Sequence, residues 1–216
     1  MSQEEIQMWD TRFSQDAYLF GTEPNDFLTR HAHLITPGGR VLAVADGEGR
    51  NGVWLAEQGF AVHAIEGSRI AIEKSTALAQ SRSVGLASAV THLEPGSLFN
   101  DPVDVMNWNW PVSEYDAVVA IFIQFAKPPE RAQLFAYMAK ALKPGGVLLL
   151  EGYHHRQMQY GTGGPKVLDQ LYDEALLQAS FTALKIESLV DYEVEMNEGD
   201  GHNGISSLID LIARAQ

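Results

Sequence analysis

Seven consecutive residues, Asp46-Gly47-Glu48-Gly49-Arg50-Asn51-Gly52, concentrate the glycines and charges that could hold a ligand. Gly47, Gly49 and Gly52 satisfy G-x-G-x-x-G, and an apolar run over 41–45 precedes them. Glycines at a strand end let backbone approach a ligand where a helix begins. Glu66 follows about 20 residues on, where a second strand would end, the place for a carboxylate that accepts both hydroxyls of a ribose. The loop and the acid together point to a nucleoside site. Alone, the glycines would equally suit a tight strand–helix turn, with Glu66 a solvated acid.

Charge narrows the ligand. A dinucleotide would set a doubly charged pyrophosphate against Asp46, Glu48 and Glu66, with only Arg50 to offset them. Like charges within ~4–6 Å in a cleft repel strongly. S-adenosylmethionine carries a sulfonium and an ammonium beside one carboxylate and has no phosphate. The acidic loop suits those cations, and Arg50 could serve the carboxylate or a neighbouring acid. The alternatives are a module that holds S-adenosylmethionine without turnover and, less favoured, an NAD-dependent oxidoreductase.

The chain has 216 residues, 45% of them apolar, enough for one domain with a sizeable core. Its net charge is −13 (15 basic against 28 acidic residues), and no basic run offers a phosphate-backbone surface, so nucleic acid is not expected as a partner. There is no cysteine, which excludes disulfides, thiolate zinc sites and arsenite methylation by a cysteine relay. No signal-peptide pattern or membrane-length apolar run is visible, so a cytoplasmic protein acting on a small molecule is expected. Oligomeric state is not legible.

Apolar runs over 41–45, 61–65, 117–121 and 147–150 read as parallel strands buried on both faces. Helical patterns over 51–58, 68–79 (Ser68 as N-cap) and 130–142 alternate with them. Residues 188–196 alternate polar and apolar, and a second strand over 206–213 follows a Gly-rich turn, favouring an antiparallel pair. The expectation is an α/β fold, a Rossmann-like doubly wound sheet of seven mostly parallel strands with one antiparallel strand. That is the layout of class I methyltransferases.

With these residues in place, the chain resembles small bacterial class I S-adenosylmethionine-dependent methyltransferases near the tellurite-resistance and thiopurine methyltransferases. Trp9-Asp10-x-Arg12-Phe13 and Tyr18-x-Phe20-Gly21-x-x-Pro24-Asn25-x-Phe27-Leu28 look like an N-terminal signature. Gly47-Glu48-Gly49-Arg50-Asn51 and Lys143-Pro144-Gly145-Gly146 match the cofactor loop and a turn before a strand. Tyr160-Gly161-Thr162-Gly163-Gly164-Pro165 and Glu198-Gly199-x-Gly201-His202-x-Gly204 look like subgroup loops.

The resemblance implies a helical lid over 1–36 on a core over 37–216, with Trp9 and Phe13 closing over the cofactor. It puts Asp46, Gly47, Glu48, Gly49, Arg50 and Asn51 around the methionine end, and Glu66, Gly67 and Ser68 around the ribose. It puts Gly96, Ser97 and Leu98 at the adenine, and Ala120 and Ile121 beside the methionine moiety. No residue is assigned firmly to catalysis. Gln124, Tyr153, Tyr160 and His202 are candidates to line an acceptor pocket for a soft thiol or chalcogen nucleophile. Gln124 stands where relatives carry a histidine and cannot shuttle protons. His154 and His155 read as solvated loop histidines. Glu198, Asp200 and His202 read as polar loop, with no metal expected.

Overall fold

The structure is a computed structural model that describes residues 3–216. Its strands are β1 (Arg40–Val44), β2 (Ala61–Glu66), β3 (Gly85–Leu86), β4 (Ser97–Pro102), β5 (Tyr115–Ile121), β6 (Leu142–Tyr153), β7 (Leu184–Glu198) and β8 (His202–Ala215). Its α-helices are α1 (Gln3–Phe13), α2 (Asp26–His31), α3 (Arg50–Glu57), α4 (Arg69–Ser81), α5 (Pro128–Ala141) and α6 (Glu174–Ser180). One sheet links all the strands in the order β3-β4-β2-β1-β5-β6-β8-β7.

The apolar runs are central strands because both of their faces are covered. Along β1, Val41 and Ala43 face Phe27, Leu28, Val53 and Leu78 of α2, α3 and α4. Leu42 and Val44 face Leu134, Phe135, Met138 and Phe181, from α5 and the end of α6. Ser68 caps α4 by accepting a hydrogen bond from the Ala71 N–H, as the sequence pattern predicts. Strand β8 runs antiparallel to β6 and to β7, so it is the one reversed strand.

The sheet has eight strands where seven are expected. The addition is β3, two exposed residues beside β4 at the edge, too short to leave a sequence pattern. A second difference concerns the N-terminal segment. In α2, Phe27 and Leu28 are fully buried in the core, and Asn25 caps the helix. Of the segment before β1, α1 and the loop after it line the cavity over the strand ends, while α2 packs in the core. No helix among the described residues is long and apolar enough to cross a membrane.

Candidate cofactor and acceptor site

Strands β1, β2, β5 and β6 end along one edge of the sheet, where an α/β fold builds its ligand site. After β1 the backbone enters the left-handed region at Ala45, Gly47 and Gly49 (φ 50°, 59° and 88°). Gly49 is obligatory, because a Cβ there would stand 2.2 Å from Ser75 Oγ. Both Asp46 oxygens accept from the Gly52 N–H at 3.1 Å, tying the loop to α3. Glu66 accepts from the Gly47 N–H at 2.9 Å and the Ser68 N–H at 2.8 Å.

Burial dominates the titration of both acids. It pushes the Asp46 carboxyl up to about 7, against the Gly52 N–H and with Glu66 adding to the rise. It raises Glu66 as well, against the Ser68 and Gly47 amides. Arg50 offsets Asp46 only in part: its charge lowers that carboxyl, but its Nη2 pairs with Glu198 at 2.8 Å and its Nη1 donates to the Phe20 carbonyl. The glycine loop is therefore a buried acidic cradle, suited to a cationic nucleoside and unsuited to a diphosphate.

A cavity of about 780 Å³ opens over this loop. Trp9 and Phe13 stack at 5.4 Å on its outer side, and the Phe13 ring tip would lie 3.7 Å from a Cβ on Gly47. Asp46, Gly47, Arg50, Asn51, Glu66 and Ile121 also line it. At the far side Phe20, Phe122 and Tyr153 surround the His202 ring, with centroids 4.5, 4.3 and 5.6 Å away. Phe122 reaches this place from a left-handed backbone (φ 55°), rare for a bulky residue and concentrated at functional sites. Gln124 lines the cavity, but its amide is spent on backbone: it donates to the Tyr153 and Gln170 carbonyls and accepts from the Tyr153 N–H.

Several expected site residues lie elsewhere. Glu48 turns away from the cavity to accept from the Leu19 N–H at 2.7 Å and to pair with Lys74. Gly49, Gly67 and Ser68 shape the backbone without lining the cavity, and Ala120 is fully buried beneath it. Gly96, Ser97 and Leu98 stand at the start of β4, where Ser97 pairs with Ala61 at the start of β2. This is the opposite edge of the sheet, because these residues begin a strand that should end at the site. Tyr160 is outside the cavity, and Glu193 raises its hydroxyl. His154 is buried, not solvated; its Nδ1 accepts from the Arg156 N–H. Lining residues with no sequence signal include Leu19 and Asn203. Their loops meet only in the folded chain.

Phe20 lines both the first cavity and a second of about 710 Å³, whereas Glu198 lines only the second. Behind it, Asn25 Nδ2 donates to Glu151 at 2.6 Å and to Glu198 at 3.2 Å. The Tyr192 hydroxyl donates to Glu151 at 3.1 Å and lies 3.4 Å from Asp210. Burial raises Glu151 well above its usual range, and the Asp210 charge adds to the rise; burial raises Asp210 too.

Among curated proteins, none matches the chain. Among solved structures, one from work on the conversion of a disulfide bond into a thioacetal group during echinomycin biosynthesis superposes with a TM-score of 0.75 at 15% identity, covering 98% of this chain and 92% of its own. The N-methyltransferase NodS from Bradyrhizobium japonicum, in complex with S-adenosyl-L-homocysteine, gives 0.67 at 14% identity, covering 97% of each chain. TehB from Haemophilus influenzae gives 0.68 at 16% identity, over 89% of this chain and 62% of that one. These likenesses carry the fold. The sequence model of thiopurine S-methyltransferase matches residues 4–214. With the acidic glycine loop and the single reversed strand, that match places the chain in the thiopurine S-methyltransferase family, as an S-adenosylmethionine-dependent methyltransferase of class I fold.

Proposed function

We propose that this cavity brings S-adenosylmethionine together with a small, soft nucleophile, a thiol or another chalcogen, and that the acceptor enters the aromatic side. The observation that carries this reading is the division of one cavity into two chemistries. Asp46 and Glu66 make the glycine-loop end acidic, while Phe20, Phe122, Phe125 and Tyr153 make the opposite end apolar. When bound, S-adenosylmethionine supplies an electrophilic methyl group on a cationic sulfur. Glu66 holds the ribose hydroxyls with the lone pairs its amide contacts leave free. Asp46 faces the cationic end. Trp9 and Phe13 cover the pair and exclude water, and the aromatic wall orients a polarisable acceptor. Holding two reactants in line supplies effective molarities of ~10⁵ M or more, so positioning accounts for much of the catalysis.

Titration calorimetry with S-adenosylmethionine, followed by a methyl-transfer screen over thiols, selenite and tellurite, tests the reading. Binding and transfer to at least one thiol are expected. Failure to bind refutes the cofactor site; binding with no transfer to any acceptor favours a module that holds the cofactor. The second outcome is kept in view because the Gln124 amide is committed to backbone, and because this fold also occurs in the [4+2]-cyclase SpnF, with a TM-score of 0.70 at 19% identity.

A further inference from the structure

His202 begins β8 and is almost fully buried, yet its ring lines the cavity. Its Nδ1 lies 3.3 Å from Glu198 Oε2. Glu198 is an ionised partner: burial alone would raise it, but His202 and Arg50 hold it at about 2. The same Oε2 receives Arg50 Nη2 at 2.8 Å, and Asn25 holds the other oxygen. A carboxylate fixed from three sides can only accept, so Nδ1 carries the hydrogen and Nε2 keeps its lone pair. No protein group among the described residues bonds Nε2. Phe20, Phe122 and Tyr153 box the ring in and fix its plane.

The charged groups around the ring come from three other directions as well: Arg50 from α3, Arg12 from α1, and Asp200 from the turn before β8. Burial first, and then the two arginines, lower the imidazole below its ordinary value, against the pull of Glu198. The ring is thus neutral at pH 7, a base and not an acid.

We propose that Glu198 and His202 are a base dyad, so that the acceptor arrives protonated and neutral, a thiol foremost, rather than as a preformed anion. This rests on the thiol reading above. The acceptor S–H bond breaks with its proton going to His202 Nε2. The sulfur's electron pair forms the new bond to the methyl carbon, and the old carbon–sulfur bond is released with its pair to the sulfonium sulfur. The proton then leaves Nε2 for water. Glu198 is the positioning residue, and His202 touches the reacting proton. Selenite and tellurite, which bring no S–H proton, gain nothing from the dyad.

Two measurements on the full chain test it. Long-range ¹⁵N NMR of the ligand-free protein should show His202 as the Nδ1–H tautomer, titrating below 6.5. Glu198→Gln should abolish that bias, and an Nε2–H tautomer in the wild type overturns the proposal. The second uses benzylthiol, neutral at pH 7, and 4-nitrothiophenol, already a thiolate. His202→Gln should lower kcat/KM for benzylthiol ~10²–10⁴-fold and for 4-nitrothiophenol by less than about threefold. Equal losses on both thiols make His202 a packing residue and overturn the dyad alone. Lack of cofactor binding by calorimetry, or no transfer to either thiol by wild type, instead removes the reading beneath it.

Discussion

Asp46, half-buried, and Glu66, buried, face the cavity, and their titration is a handle on the cofactor site. A cationic ligand binds better when Asp46 is ionised. Because Asp46 sits at about 7, affinity for S-adenosylmethionine should rise as pH goes from about 6 to about 8, and Asp46→Asn should flatten that rise while weakening binding. Calorimetry at both pH values measures it; a pH-independent affinity in the wild type would separate Asp46 from the ligand. Glu66→Gln keeps the side-chain shape but removes the charge. With charged hydrogen bonds at about 1.5–3 kcal/mol each, affinity should fall ~10–100-fold. At this scale the sequence is informative about type and poor about direction. The acids around Gly47 were legible, but Glu48 could have turned either way, and Lys74 and the Leu19 amide hold it buried away from the cavity. The isolation of His202 Nε2 had no trace in the sequence, since its aromatic box comes from two separate loops and the end of β6.

At the scale of elements, α1 is tied down differently from α2. The Asp26–His31 helix sinks Phe27 and Leu28 into the core, whereas α1 contributes Phe13 to a small satellite cluster and leaves Trp9 half-buried over the cavity. Trp9→Ala should therefore change the thermal midpoint little while speeding cofactor dissociation several-fold, read by stopped-flow fluorescence. Unchanged dissociation would make α1 a packing helix only. The central strands were legible because two-sided burial writes an unbroken apolar run. Strand β4 was not, because Ser97–Pro102 places one fully buried residue, Leu98, beside a half-buried Phe99 and otherwise polar residues. Missing that strand displaced the expected adenine contacts to Gly96–Leu98, one strand length from the ligand edge.

Across the whole molecule, raised carboxyls set the response to pH. Asp46, Glu66, Glu151 and Asp210 hold protons in the folded state over a range where the unfolded chain has released them. Such groups are neutral for stability below their unfolded pKa and destabilise progressively as pH rises towards the folded one. Glu198, Asp116 and Asp191 are shifted down, so their contribution is lost only as pH falls through and below the ordinary carboxylate range. Three histidines lowered by burial, His63, His154 and His202, oppose the carboxyl trend once pH falls below about 6.5. The ligand-free protein should therefore melt at a higher temperature near pH 7 than near pH 8, by about a degree, and Glu151→Gln should narrow the gap. Scanning calorimetry with an equal or higher midpoint at pH 8 would contradict this.

The tie between the N-terminal segment and the last hairpin has a further consequence. Gly201 N–H donates to the Leu19 carbonyl at 3.0 Å, and Asn25 reaches both Glu151 and Glu198. A ribosome delivers Leu19 and Asn25 long before Glu198 and Gly201. The nascent chain can thus stack its central strands while the pocket still lacks a wall, and only emergence of the hairpin seals it. Competence to capture the methyl donor therefore waits on the hairpin, late in translation.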